Sequence, residues 1–227
     1  MPLEKYTHRK TYKSSWNYEE LEELDYIDTT LKTGILFPTG ARKNQNLAFD
    51  LPSGYDGYYA LPFSTDASLG AFEWLTVGYH TDVLFFIPQT RTIRMKTDLE
   101  QSGFFKLGLG TARVRPGSLW NINGYLKADH LAKGFSLLVG YTYSQKNDDT
   151  ICPCNRSFVG SIVNSDEMFK SWNMHTLHLQ AEYDFTQEEK SYGFRAAIFY
   201  NQVLGGKRIF KTNMAGGSLG VDIGLRF

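Results

Sequence analysis

Apolar and polar residues alternate with a period of two through eight segments of this 227-residue chain. In the first segment, residues 27–37, Ile27, Leu31 and Phe37 have one parity and Lys32 has the other. Successive side chains of a strand point to opposite faces, so this alternation predicts β-strands with one apolar and one polar face. The other seven segments lie at residues 59–69, 75–85, 120–128, 135–143, 177–185, 192–200 and 219–227.

Helices contribute little to the predicted fold. No run of apolar residues approaches the roughly 18 to 20 that a membrane-spanning helix needs, which excludes a helical membrane protein. A transmembrane β-barrel remains open, because its lipid-facing residues alternate with polar ones. The one helix-like stretch is residues 18–25, about two turns long. We expect it to belong to residues 1–25, which form an amino-terminal segment or the remnant of a preceding strand.

The connections between the segments alternate in length, which is typical of outer-membrane barrels with short periplasmic turns and long extracellular loops. The long connections are 38–57, 88–117, 145–171 and 202–216, and the short ones are 70–73, 130–134 and 186–191. Aromatic residues concentrate at strand ends, where a membrane barrel carries its interfacial girdles. We therefore predict an all-β, antiparallel up-and-down transmembrane barrel over residues 26–227, with a lipocalin-like barrel in water as the alternative.

The membrane interpretation assigns the apolar face to lipid and the polar face to the barrel lumen. The residues expected to face outward are Leu31, Phe63, Val77, Ile122, Val139, Leu179, Ile198 and Ile223. The expected pore-lining residues are Asp28, Lys32, Asp66, His80, Asp82, Lys127, Asp129, His178, Glu182, Asp184, Arg195, Asp222 and Arg226. With both histidines neutral, carboxylates outnumber cations in this set, which favours cations in a narrow aqueous pore.

Charge and cysteine content limit the other functions. Lys and Arg total 24, as do Asp and Glu, so the net charge is +0 and gives no reason to expect a nucleic-acid partner. Cys152 and Cys154 are too few for a zinc site, and we expect loop thiols or a strained local bridge. Residues 107–111 hold two glycines without the strand-to-helix context of a phosphate loop and fit an extended hairpin. No metal or cofactor is predicted.

The chain offers no catalytic constellation. His175 and His178 have opposite parity on one segment, so they point to opposite faces and cannot share a metal ion. Carboxylates that share a face with His178 or His80 fit a hydrogen-bonded polar wall better than an acid–base pair. We therefore expect no enzyme activity.

Residues 218–227 resemble the carboxy-terminal signal of bacterial outer-membrane proteins. The alternating Val221, Ile223 and Leu225 close on the terminal Phe227. The resemblance implies recognition by the barrel-assembly machinery and residence in the outer membrane of a Gram-negative bacterium. A second stretch, residues 31–40, is a strand that ends in Pro-Thr-Gly and is similar to outer-membrane channels of the phenol-degradation and fatty-acid-transporter type.

These features predict a porin-like passive or facilitated-diffusion channel for small solutes, hydrophobic ones included. The alternative is a non-transport surface protein, an adhesin or a structural anchor, that acts through its long loops. Expected partners are outer-membrane lipid and lipopolysaccharide, whose phosphates suit the basic loop 88–117. The first 16 residues contain no apolar stretch of a secretory signal. We expect the carboxy-terminal part of a barrel of about 10 to 14 strands, or a complete eight-stranded barrel with a misassigned start.

The terminal aromatic residue provides a test of the assembly signal. Phe227→Lys places a charge where the resemblance requires an aromatic ring, and we expect the surface level of the protein to fall severely. Arg226→Lys keeps the alternation and is the control. Quantitative immunoblotting of isolated outer membranes measures both variants, and normal levels of Phe227→Lys would show that the signal is misread.

Overall fold

The computed structural model describes residues 24–40, 42–45, 55–103, 106–132, 134–185 and 192–223. Nearly all regular structure in these residues is antiparallel β, in one eight-stranded and one three-stranded sheet. Helical structure is limited to the single turn α1 (Gly160–Val163) and a 3-10 turn at Glu167–Phe169. No helix in the described ranges has both the length and the apolar character needed to cross a membrane.

The eight-stranded main sheet follows chain order, with each strand antiparallel to its neighbours. Its strands are β1 (Leu24–Thr33), β2 (Ala60–Ala71), β3 (Leu75–Phe86), β6 (Leu119–Ala132), β7 (Phe135–Lys146), β9 (Trp172–Asp184), β10 (Tyr192–Lys207) and β11 (Met214–Ile223). Each of the eight predicted segments therefore contains a strand of the main sheet, and these strands are antiparallel neighbours in order. The first segment was predicted to reach Phe37, but β1 ends at Thr33, and residues 224–227 of the last lie outside the described residues.

The sequence placed the start of β1 too late. Leu24 and Asp25, assigned to the amino-terminal segment and its helix-like stretch, belong to β1, while residues 1–23 lie outside the described residues. Two contacts hold this end of the strand in the sheet. The Tyr26 ring lies over Gly70 of β2, and the Glu73 backbone N–H donates to Asp25 Oδ2 at 2.6 Å.

The strand register gathers the apolar residues on one face of the main sheet. Leu69 pairs with Ile27 on one side and with Val77 on the other. Apolar residues also face each other further along the sheet, where Ile198 of β10 pairs with Ala181 of β9. Of the eight residues expected to face outward, six are exposed, namely Leu31, Phe63, Val77, Val139, Leu179 and Ile198. Ile122 is half-buried, and the Ile223 side chain lies outside the described residues.

Glycines on the polar face make room for aromatic rings from the neighbouring strand. A Cβ at Gly78 would lie 2.0 Å from Tyr125, and one at Gly216 would lie 2.5 Å from Phe199. Aromatic rings packed over cross-strand glycines accompany strongly coiled sheets. Among the described residues β1 pairs only with β2 and β11 only with β10, so no closed barrel is seen.

The connections from β3 to β6 and from β7 to β9 form a separate folded unit, which we call the cap (residues 87–118 and 147–171). Its sheet has the order β4 (Gln89–Met95), β5 (Gly108–Arg115) and β8 (Thr150–Pro153). The β4–β5 pair contains residues 108–111, which confirms the expected hairpin. The hydrophobic core cluster of the described chain lies here and includes Tyr58 from the connection before β2. Its residues are Tyr58, Ile93, Met95, Ala112, Val114, Ile151 and Val163.

The sequence predicted a fourth long connection at residues 202–216, and this prediction is wrong. Strand β10 runs to Lys207 and β11 begins at Met214, which leaves a connection of residues 208–213. The alternation ends early in β10 because a register irregularity between Val203 and Gly205 shifts the side-chain phase, while the backbone ladder with β9 continues.

The glycine–aromatic contact at Gly78 yields a stability prediction. Gly78→Ala forces a methyl group into the Tyr125 ring, and overpacking of this kind costs about 1 to 3 kcal/mol. The control is Gly124→Ala, since a Cβ at Gly124 has nothing within 4 Å. Urea unfolding of the purified protein, followed by tryptophan fluorescence, should show a lower midpoint for Gly78→Ala only. Equal midpoints for both variants would contradict the packing described here.

Candidate functional site

The polar face of the main sheet brings together the residues that the sequence singled out. Register and parity place twelve of the thirteen pore-lining candidates on this face: Asp28, Lys32, Asp66, His80, Asp82, Lys127, Asp129, His178, Glu182, Asp184, Arg195 and Asp222. For Asp222 only the backbone position is described, and Arg226 lies outside the described residues with Leu225 and Phe227. Their role in lining a pore stays a prediction.

A chain of charged contacts crosses the first three strands. Lys32 Nζ on β1 lies 3.0 Å from Asp66 Oδ2 on β2. The other oxygen of Asp66 lies 2.5 Å from His80 Nδ1 on β3, and His80 Nε2 lies 2.5 Å from Asp82 Oδ2. Four of the predicted residues thus form one connected group.

His80 lies between two carboxylates. An ionised carboxylate only accepts hydrogen bonds, so both ring nitrogens donate to an aspartate only when the ring carries two protons. The arrangement therefore favours the positively charged form of His80, which the residue counts above treated as neutral. Among the pore-lining candidates whose side chains are described, six carboxylates stand against Lys32, Lys127 and Arg195, with His80 as a fourth cation when it is protonated.

A second group of contacts continues across β6, β7, β9 and β10. Thr142 hydrogen-bonds Asn123, and its hydroxyl lies 2.7 Å from His178 Nε2. His178 Nδ1 lies 2.8 Å from Asn201 Oδ1. Since Asn123 pairs with His80 in the β3–β6 register, the two groups form a polar belt from Lys32 to Asn201. Such cross-strand bonds fix side-chain positions along the whole face.

A pocket of about 470 Å³ opens at the end of the polar face that carries the short turns. Its walls come from β1, the β2–β3 turn, β3, β6, β7, β9 and β10: Asp25, Tyr26, Glu73, Thr76, Lys127, Asp129, Ser136, Glu182, Asp184 and Arg195. Strands at opposite ends of the sheet order share one pocket because the sheet curls. We call this pocket the acidic vestibule, since five carboxylates face two cations there.

Sequence reasoning identified half of the vestibule. It named Lys127, Asp129, Glu182, Asp184 and Arg195 but missed the remaining five residues. Thr76 and Ser136 have the polar-face parity and could have been included on that ground. Asp25 and Glu73 carried no such signal, because one was assigned to the amino-terminal segment and the other to a turn. The hydrogen bond between them joins these two places in the fold.

The apolar face carries aromatic contacts near both ends of the strands. At the cap end, Phe85 packs against Phe63 with ring centroids 6.1 Å apart and against Trp120 at 6.2 Å. At the short-turn end, Phe72 stacks on Trp74 at 6.4 Å and Tyr183 packs on Phe185 at 4.4 Å. Exposed aromatic side chains therefore occur at the two ends of an aliphatic band.

A buried ion pair joins the two connections of the cap. Lys106 Nζ lies 2.5 Å from Asp166 Oδ2 and 4.1 Å from the Phe169 ring centroid. The Asp166 side chain is fully buried and also accepts from the Met168 backbone N–H at 3.0 Å. Because both charges are removed from water, each relies on the attraction of the other to offset its lost hydration.

Residues 55–59 attach to the cap through Arg91. Arg91 Nη1 donates to Asp56 Oδ2 at 2.7 Å, and the guanidinium lies 4.0 Å from the Tyr58 ring centroid. Burial raises the pKa of the Tyr58 hydroxyl to about 12, against the lowering effect of Arg91. The arginine thus fixes an aromatic ring of the cap core.

The basic residues of the loop 88–117 are partly paired. Arg91 pairs with Asp56, and Lys106 pairs with Asp166. Arg208, in the connection after β10, lies with its Nε 2.6 Å from Glu167 Oε2, and its hydrogen bond holds the pKa of the Glu167 carboxyl below its usual range. Ion pairs among the described residues therefore offset two of the six cations of the loop.

No cluster of three or more His, Cys, Asp or Glu side chains suited to a metal ion occurs in the part of the chain that the structure describes. His175 and His178 lie on opposite faces, as predicted. His175 Nδ1 lies 2.5 Å from Tyr141 Oη on the apolar face, whereas His178 belongs to the polar belt.

Comparison of the chain with protein-family models, with curated proteins and with solved structures finds no match.

The buried ion pair of the cap provides a matched pair of variants. Asp166→Asn leaves Lys106 buried without a countercharge, and losing one partner of a buried pair costs about 3 to 5 kcal/mol. Glu167→Gln, one residue away, breaks an exposed pair and should cost less than about 1 kcal/mol. Limited proteolysis of the cap should accelerate strongly only for Asp166→Asn. Similar rates for the two variants would contradict a buried, compensating pair.

Proposed function

We propose that this protein is an outer-membrane β-barrel that forms a diffusion channel for small polar solutes, with a preference for cations. The observation that carries the proposal is the apolar face of the main sheet. It is exposed on all eight strands, and within the described residues no second layer of structure packs on it. A bilayer is the medium that such a face fits.

The size of the apolar face argues against exposure to water. Leu31 is 74% exposed and Ile198 is 69% exposed, and both lie in an apolar band that continues from strand to strand. Each large aliphatic side chain left in water forgoes about 1.5 to 3 kcal/mol. Monomers in water rarely expose apolar patches above a few hundred Å². Rows of aromatic rings at both ends of the band suit the headgroup level of a bilayer.

Closure of the barrel is part of the proposal. In hydrocarbon, unpaired backbone groups cost several kcal/mol each, so the free edges of β1 and β11 need partners. The acidic vestibule already combines β1 with β10, which supports a sheet curled far enough for its two edges to approach. The edges then pair with each other or with strands of a larger barrel.

The polar belt and the vestibule support a hydrophilic pathway. The wall holds charged and amide groups that satisfy one another laterally, which leaves the axis open for water and small solutes. Excess carboxylate lowers the energy of cations in a narrow pore and raises that of anions. The paired charges of the cap oppose this weakly, and salt screens them beyond about 8 Å. We therefore assign the cation preference to the vestibule.

Reversal potentials under a KCl gradient test this assignment in planar bilayers. The full-length protein should prefer K⁺ over Cl⁻, and Glu182→Gln should reduce the preference by removing one vestibule carboxylate. Glu167→Gln also removes one negative charge, but from the cap, and should leave the reversal potential nearly unchanged. Anion preference, or equal effects of the two variants, would contradict the vestibule as the selective region.

A surface anchor or adhesin is the second candidate. The observation in its favour is the cap, because a connection that only borders a pore does not need a hydrophobic core of its own. A barrel that inserts stably and never conducts would favour this candidate over transport.

A further inference from the structure

The cap carries two thiols at a spacing that suits a metal ion. Cys152 lies in β8 and Cys154 follows one residue after its end, and both are free and exposed. We propose that the two sulfurs form a binding site for a soft, two-coordinate metal ion of the Cu(I) or Ag(I) class. The proposal concerns the cap alone and does not depend on the transport function.

The backbone of this segment aligns the two side chains. Cys152 is paired with Arg113 of β5, and the Cys154 backbone N–H donates to Thr111 O at 2.9 Å, so the ladder with β5 reaches Cys154, where the chain bends. Residues two apart on a strand point to the same face. Pro153 between them is tolerated because β8 is an edge strand, where a missing N–H costs no ladder bond. Ile151 anchors the strand in the cap core.

This geometry disfavours a disulfide between the two cysteines. Two strand residues in these positions have Cα atoms about 6.6 to 6.8 Å apart, at the upper limit of disulfide geometry. Both cysteines are free, so the strained local bridge considered from the sequence is not formed. Cys152 lies within a strand where a loop was expected, whereas Cys154 lies in the bend that follows.

The same geometry suits a bridging ion. Metal–sulfur bonds of about 2.3 Å place two sulfurs about 4.6 Å apart in a linear site. Rotation about χ1 brings exposed thiols of neighbouring same-face residues to this separation. Thiolates select soft ions such as Cu(I). Zinc needs four ligands, and the described residues supply no cluster of even three candidate groups.

The charge balance also fits. Binding of a monovalent ion replaces two S–H bonds with two sulfur–metal bonds, releases two protons to solvent and leaves a site with one negative charge. Arg113 lies opposite Cys152 on the same exposed face, and among the described residues its guanidinium has neither a hydrogen bond nor an ion pair. It can therefore compensate that charge.

Anaerobic Cu(I) titration of the reduced full-length protein, in competition with a chromogenic Cu(I) chelator, tests the proposal. We expect one Cu(I) per chain, and affinity weaker on the order of 100-fold or more in Cys152→Ser and in Cys154→Ser, because each keeps only one arm of the chelate. Thr150→Ser, on the same face of β8, should bind like the unchanged protein.

Two results would overturn the site. One is undiminished Cu(I) binding by the double variant Cys152→Ser with Cys154→Ser, which would place the ion elsewhere. The other is retention of Zn(II) as tightly as Cu(I), which would require ligands beyond these two thiols. Both side chains are exposed, so proteolysis of the cap should be unchanged in every variant, and this confirms that the variants fold.

Discussion

The antiparallel backbone ladder of the main sheet, and the register in which its strands pair, underlies the other features of the structure. In the middle of the sheet the register sets residues of like polarity side by side, with Val77 between Leu69 and Leu126 and His80 between Asp66 and Asn123. A slip of one residue at any pairing would move a whole strand's apolar set to the polar face. Two chemically different surfaces therefore arise from one hydrogen-bonded sheet.

The two surfaces differ in how their side chains are accommodated. The apolar surface has no covering layer in the described chain, whereas side chains of the polar surface hydrogen-bond one another along the belt from Lys32 to Asn201. Glycines opposite Tyr26, Tyr125 and Phe199 allow rings to lie across the curved wall. Curvature, belt and vestibule are thus consequences of which small and large residues meet across neighbouring strands.

The cap differs from the main sheet because its apolar residues pack around a buried hydrophobic core. Buried Lys106 and Asp166 compensate each other, and Arg91 holds Tyr58 against β4. A rigid cap presents fixed side chains to the exterior, among them the two thiols and Arg113. It gives the chain a surface whose chemistry is independent of that of the main sheet.

The amino-acid sequence alone was enough to indicate the eight strands of the main sheet, their order and the composition of each face, because period-two alternation is a local property of strand geometry. It also separated His175 from His178. Three features needed the folded chain, namely the two carboxylate partners of His80, the union of Asp25 and Glu73 in the vestibule, and the ion pairs of Arg91 and Lys106, because each depends on contacts between residues far apart in the chain. Local alternation fixes which face a side chain takes, and long-range pairing fixes which neighbours it meets there.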